Sequence, residues 1–201
     1  MNLNNLIISL LIMVEKEEKE TKFVMPYLFL GNTGLKVSKM GYGVMTFRDH
    51  DKIDHYWKIF KKAYDFGINF FDTAEFYGEN GSSEIITGKL IKKLGVSRES
   101  LVITVKVYFA PDCKKPGNVN SIGLSRKHII EGVRNSLKRL QLDYADIVYA
   151  HRADHDTPME ETCRAFDWLI RKGYTFYWAT SVWPIEKIEE AIGICRRYNL
   201  H

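Results

Sequence analysis

From Tyr27 onward, short continuously apolar runs alternate with longer stretches in which apolar positions recur every three or four residues. The short runs are MGYGVM (40–45), INFFD (68–72), LVITVKV (101–107), ADIVYA (145–150) and TFYWAT (175–180). Rich in Val, Ile, Phe and Tyr, they predict strands covered on both faces, as in a parallel sheet under helices. Helices are predicted between and after them, at roughly 52–66, 83–94, 125–140, 158–172 and 184–199. In the third, Ile129, Val133, Leu137 and Leu140 keep the helical step, with Arg and Lys between them. Ser125 and Thr157–Pro158 suit helix starts, and Gly67, Gly95 and Gly173 stand where helices should stop. Ahead of this rhythm, YLFL and LKVSKM flank Gly31–Asn32–Thr33–Gly34, a pair with hairpin chemistry at its turn.

Five successive β-α units leave two architectures open, a doubly wound open sheet or a (β/α)₈ barrel. A dinucleotide-binding open sheet should carry G-x-G-x-x-G between its first strand and helix. That junction reads GYGVMTFRDHD and lacks the third glycine, so the barrel is expected. The fold class is therefore α/β, a (β/α)₈ TIM barrel holding about five of its eight units, preceded by a β-hairpin. No Ser/Gly-rich linker interrupts residues 26–201, which form one domain, and residues 1–25 are expected to be a tail. Within that tail Leu6 to Val14 is apolar, but a bilayer crossing needs roughly 20 residues. The run also lacks the basic leader and small-residue cleavage site of a secretory signal, so no integral membrane segment is expected.

Composition changes this picture little. An apolar fraction of 45% and a charged fraction of 27% are ordinary for a globular chain. The formal charge of +4 comes from Lys and Arg spread over helical outer faces, with no concentrated patch for nucleic acid. Cys113, Cys163 and Cys195 are odd in number and far apart, which suggests neither a disulfide framework nor a zinc site. Reduced thiols in a reducing, cytoplasmic compartment account for them.

Barrel chemistry gathers at the C-terminal ends of the strands. Strand two runs into FFDTAEFYG and supplies Asp72, with Tyr77 five residues on; LVITVK supplies Lys106, YAHRADHD supplies His151, and WATS supplies Ser181. Singly, each has a structural explanation: a charge meeting water, a satisfied loop histidine, a turn cap, a packed ring. Together at one rim they match the needs of carbonyl reduction. That reaction needs hydride at carbon and a proton at oxygen, and free tyrosine, with a pKa of roughly 10, is a poor acid at neutral pH. A neighbouring ammonium favours tyrosinate, and an aspartate keeps that ammonium charged and oriented. A histidine can help place the carbonyl oxygen. A Ser–His–Asp hydrolase is the weaker reading, because no G-x-S-x-G elbow accompanies His151.

At these residues the chain resembles the aldo-keto reductases. The resemblance is carried by LGNTGLKVSKMGYG, AYDFGINFFDTAEFYG, SLVITVK and YWATSVW. The long stretch GLSRKHIIEGVRNSLKRLQLDYADIVYAHRADHDTPMEET resembles the branch of the voltage-gated potassium channel beta subunits. The resemblance covers about residues 27–200 and implies NADPH as hydride donor to a small aldehyde or ketone. It also implies a catalytic set of Tyr77 as proton donor, Lys106 and Asp72 as its tuners and His151 as orienter. Thr46, Asp72 and Ser181 are the implied cofactor contacts, Ser181 at the nicotinamide carboxamide. A potassium channel or further copies of the chain are the implied protein partners, and no metal is implied.

Departures from the branch are local. Its first β-α loop reads GTWVTFGGQ, whereas here Gly43, Val44 and His50 replace three of those positions and Thr46 persists. The channel beta subunits carry Asn where this chain has His151, which is the general reductase pattern. Val182 stands where the branch has Arg or Glu, and FAPDCKKPGNVNSI replaces a loop beginning FWGG. Barrels of this kind take about 250 residues. The later units hold most adenosine and pyrophosphate contacts in the family. A five-unit sheet also leaves its outer strands as edges, so a chain of this length is expected to be marginal or partner-dependent. The alternatives to a working reductase are therefore a channel-docking protein and an inactive shortened product.

Overall fold

The computed structural model describes residues 23–201. The apolar run Leu6 to Val14, and all but the last three residues of the expected tail, lie outside the described residues. Of those three, Met25 is 5% exposed and packs in the main core, so the barrel's packing starts one residue before the predicted boundary.

Strand β1 (Tyr27–Phe29) pairs antiparallel with β2 (Lys36–Ser38), which is the predicted hairpin. Five parallel strands follow: β3 (Tyr42–Gly43), β4 (Phe70–Asp72), β5 (Val102–Val107), β6 (Ala145–Ala150) and β7 (Thr175–Thr180). They pair strictly in chain order. A doubly wound sheet reverses its strand order part-way, so sequential pairing is the arrangement of a barrel wall. Strand β3 is much shorter than the 40–45 run predicts. Among the described residues β4 is its one strand neighbour, and glycines flank its first residue; a Cβ on Gly41 would meet the Phe70 ring at 2.7 Å.

The intervening helices are α1 (Ile53–Asp65), α2 (Ser82–Leu94), α3 (Arg126–Leu140), α4 (Met159–Arg171) and α5 (Ile185–Tyr198). Each lies within two residues of its predicted span. Ser125 caps α3 as expected, its hydroxyl accepting from the His128 N–H at 3.2 Å. Helix α4 starts where Thr157–Pro158 predicts. Pro158 holds the boundary without a side-chain cap, and the Thr157 hydroxyl donates to Asp154 Oδ2 at 2.8 Å instead. Among the described residues no helix is long and apolar enough to cross a membrane.

The register divides the sheet into two chemical faces. Alternation places Phe71, Ile103, Val105, Val107, Val148 and Ala150 against the helices, where all are buried in the main core. Their partners there include Ile129, Val133, Leu137 and Leu140, the stripe that the helical period predicts. The opposite face carries Asp72, Thr104, Lys106, Ile147 and Tyr149. In the helical layer, Gly88 lets α2 approach α3 closely, since a Cβ there would stand 2.4 Å from the Leu140 carbonyl oxygen. The same two helices bury an ion pair, Arg139 Nε to Glu84 Oε2 at 2.7 Å. Burial pushes the Glu84 carboxyl above its ordinary range, and the Arg139 guanidinium opposes that rise.

Candidate active site

One strand position decides the site. Lys106 is the penultimate residue of β5, whose six residues are all buried. Alternation turns it to the polar face beside Thr104, and register sets Thr104 opposite Asp72 on β4. The Lys106 ammonium donates to Asp72 Oδ2, to the Thr73 carbonyl at 3.0 Å and to Tyr77 Oη at 3.1 Å. It also sits 4.8 Å from the centroid of the Tyr77 ring. Three donors thus meet three oxygens, which compensates a cation taken almost wholly out of water. Asp72 is held in turn by the Thr104 hydroxyl, which donates to Oδ1 at 2.8 Å.

His151 follows β6 directly, and its backbone N–H donates to the Val107 carbonyl at 3.0 Å, one residue beyond Lys106. Its ring meets that of Tyr77 edge-on, with centroids 6.0 Å apart, and that of Phe109 at 6.3 Å. Nδ1 is buried and has no hydrogen-bond partner among the described residues. Burial lowers the imidazole pKa from 6.5 to about 4, helped by the Lys106 and Arg152 cations and opposed by Asp72. The ring is therefore neutral at pH 7.

The structure brings Asp72, Tyr77, Lys106 and His151 to one rim. Thr46 and Ser181 stand around them without bonding to them. Ser181 is adjacent through the backbone, its N–H donating to the Ala150 carbonyl at 3.1 Å next to His151. Thr46 is exposed in the turn after β3. That turn is anchored to the site, because the Val44 N–H donates to the Asp72 carbonyl at 3.1 Å. Thr104 and Tyr149 are site neighbours that the strand-end reasoning passed over. Their signal was available, since Thr104 lies two residues before Lys106 and so shares its face. Phe109, beside His151, and Phe76, whose ring lies 5.6 Å from that of Phe109, had no such signal, because both stand in loops. Among the described residues no cluster of His, Cys, Asp and Glu could hold a metal ion.

A family model described as the aldo/keto reductase family matches residues 39–199, most of the chain. The chain belongs to the aldo/keto reductase family. Among curated members of the family, a protein of Schizosaccharomyces pombe named as a voltage-gated potassium channel subunit beta is 50% identical over 177 residues. That match covers 87% of this chain and 50% of the relative. Proteins of the same name from Arabidopsis thaliana and Oryza sativa are 45% and 43% identical, each over 88% of this chain and 52% of their own length. The chain thus spans about half the length of the curated relatives it matches. Among solved structures, a thermostable aldo-keto reductase crystallised with the inhibitor epalrestat superposes with a TM-score of 0.73 at 31% identity. The superposition covers 85% of this chain and 58% of that one, and it aligns the five parallel units with part of an aldo-keto reductase barrel.

Proposed function

We propose that this aldo/keto reductase chain serves NADPH-dependent reduction of aldehydes and ketones, with Tyr77 as the general acid. The observation that carries the reading is the Lys106 ammonium bonded at once to Asp72, the Thr73 carbonyl and Tyr77 Oη at the C-terminal end of the sheet. NADPH would supply the hydride that reaches the carbonyl carbon. Asp72 and Ser181, with Thr46 in the turn after β3, would hold its nicotinamide end. The fit is supported by Ser181, whose hydroxyl has no protein partner among the described residues and which adjoins His151.

The proton follows from this chain's own groups. Tyr77 Oη gives it to the carbonyl oxygen, and the phenolate left behind faces a cation 3.1 Å away. Asp72 pairs with that cation and holds it in place. His151, neutral and half-enclosed by Tyr77 and Phe109, orients the carbonyl oxygen through a ring N–H. Replacing Tyr77 with Phe removes the acid and little else. Turnover should fall by roughly 10²–10⁴ while NADPH affinity, followed by tryptophan fluorescence, is retained. Unchanged turnover in the Phe variant would reject the mechanism.

A second reading comes from the names of the relatives, which are those of potassium channel subunits. In it the barrel docks on a channel, and the site is secondary to that role. Co-purification with the cytoplasmic assembly domain of a potassium channel would support it. A full-length chain that turns over carbonyls and ignores such domains would set it aside.

A further inference from the structure

Behind the catalytic rim lies a buried acid that the proposed chemistry does not use. Glu75 is 1% exposed and stands between Asp72 and Tyr77 in the chain. Its backbone N–H donates to the Lys106 carbonyl at 3.1 Å. Its Oε1 accepts from the Tyr108 N–H at 2.7 Å and lies 3.0 Å from His128 Nε2. His128, on the first turn of α3, is 3% exposed. Gly132, one turn further along α3, leaves room for the carboxylate, because a Cβ there would come 2.9 Å from Glu75 Oε2.

A buried acid–histidine pair is by itself weak evidence for stability, since desolvation offsets much of the attraction. What distinguishes this pair is where its bonds lead. Both converge on one oxygen, and that oxygen ties together the segment carrying Tyr77, the end of β5 carrying Lys106, and α3. From Tyr108 the chain passes directly to Phe109, which packs edge-on against His151. The neck of the loop beyond is closed by the Gly123 N–H donating to the Tyr108 carbonyl at 2.8 Å. Movement of the Glu75 carboxylate would therefore displace Tyr77, Lys106 and Phe109 together.

We infer that Glu75, oriented by His128, is a positioning residue that holds Tyr77 and Lys106 in mutual register and seats Phe109 against His151. The inference rests on the reductase reading above. Its test uses the full chain with Glu75→Gln, Glu75→Ala and Gly132→Ala. Gln keeps an acceptor at Oε1, so Glu75→Gln should retain turnover close to that of the parent. Glu75→Ala should lower kcat by roughly tenfold to a hundredfold, the scale of a small misplacement, with NADPH affinity unchanged. Gly132→Ala removes no polar group, covers the case of an Ala variant that does not fold, and should lower kcat in the same direction. A folded Glu75→Ala protein with parental kcat would overturn the inference. So would Glu75→Gln falling as far as Glu75→Ala, because the charge and not the acceptor would then matter. If the parent reduces no carbonyl, the reductase reading fails, and NMR of the same variants still decides the positioning. Displaced Tyr77 and His151 ring-proton shifts in Glu75→Ala or Gly132→Ala support it, and unchanged shifts overturn it.

Discussion

The Lys106 ammonium stands 3.1 Å from Tyr77 Oη and is bonded on its other side to the Asp72 carboxylate. A phenol, a cation and an anion are thus joined by consecutive hydrogen bonds through the Lys106 ammonium. Charge can leave the phenol as a proton and be balanced without any group moving, which is the use of a preorganised site.

Replacing Lys106 with Met should therefore act on both activity and stability. Carbonyl turnover should fall by roughly 10²–10⁴, since the phenolate loses its counter-charge. Asp72 loses its cation as well, but its side chain is 28% exposed, so water takes up part of the loss. The loss of stability should stay below about 3 kcal/mol, under the range for a fully buried pair. Steady-state kinetics and urea titration of the variant check the two halves separately.

His151 makes stability depend on pH in a definable window. Its pKa of about 4 in the folded chain lies below the ordinary 6.5, so the unfolded chain binds the extra proton between those values. Stability from this group is complete above about pH 6.5 and is lost as pH falls toward 4. A His151→Gln variant should lose this slope while the rest of the acid denaturation curve persists. Denaturant midpoints taken across that window would show a matching slope in parent and variant if the assignment were wrong.

Val182 is a strained residue next to a proposed cofactor contact. It follows Ser181 with φ of 56°, in the left-handed region that a β-branched side chain rarely adopts, and it is exposed. Left-handed backbone costs an ordinary residue roughly 1–2 kcal/mol, and Asn tolerates it better. Val182→Asn should raise stability by about 1 kcal/mol without altering the fold. An unchanged or lowered melting temperature would show that the strain is absorbed elsewhere.

The three thiols should differ sharply in reactivity. Cys163 is fully buried on α4, and burial pushes its thiol pKa far up; Cys195 on α5 is raised for the same reason. Thiolate is the reactive form, so both should resist alkylation in the folded chain. Cys113, in the loop after β5 and only half-buried, should label first with iodoacetamide, as mass spectrometry of a time course would show. Early labelling of Cys163 would mean that α4 and α5 separate readily.

Much of this protein was legible along the chain. The alternation of apolar runs with helical stripes located all five parallel strands and five helices, because burial on both faces and burial on one face leave different periods. Ser125, Gly67 and Gly95 marked element ends through local backbone chemistry. The missing third glycine steered the architecture to a barrel, and sequential strand pairing bears this out. Asp72, Lys106, His151 and Ser181 were visible as polar residues at strand ends, since position in a strand is a one-dimensional property.

Tertiary structure alone decided what those residues meet. Thr104 reaches Asp72 because two strands pair in one register, and a slip of one residue would turn Lys106 into the helical layer. Glu75 and His128 are 53 residues apart, and nothing local in either segment announces the bond. The neutrality of His151 depends on how much water the surrounding loops exclude and on cations from two other positions. Met25 belongs to the core because α1 and the turn after it at Gly67 lie beside it, not because of its neighbours in the chain. Periodicity records which side of an element is buried. Partners, charge states and strain depend on elements far apart in the chain, and only the packed fold brings those together.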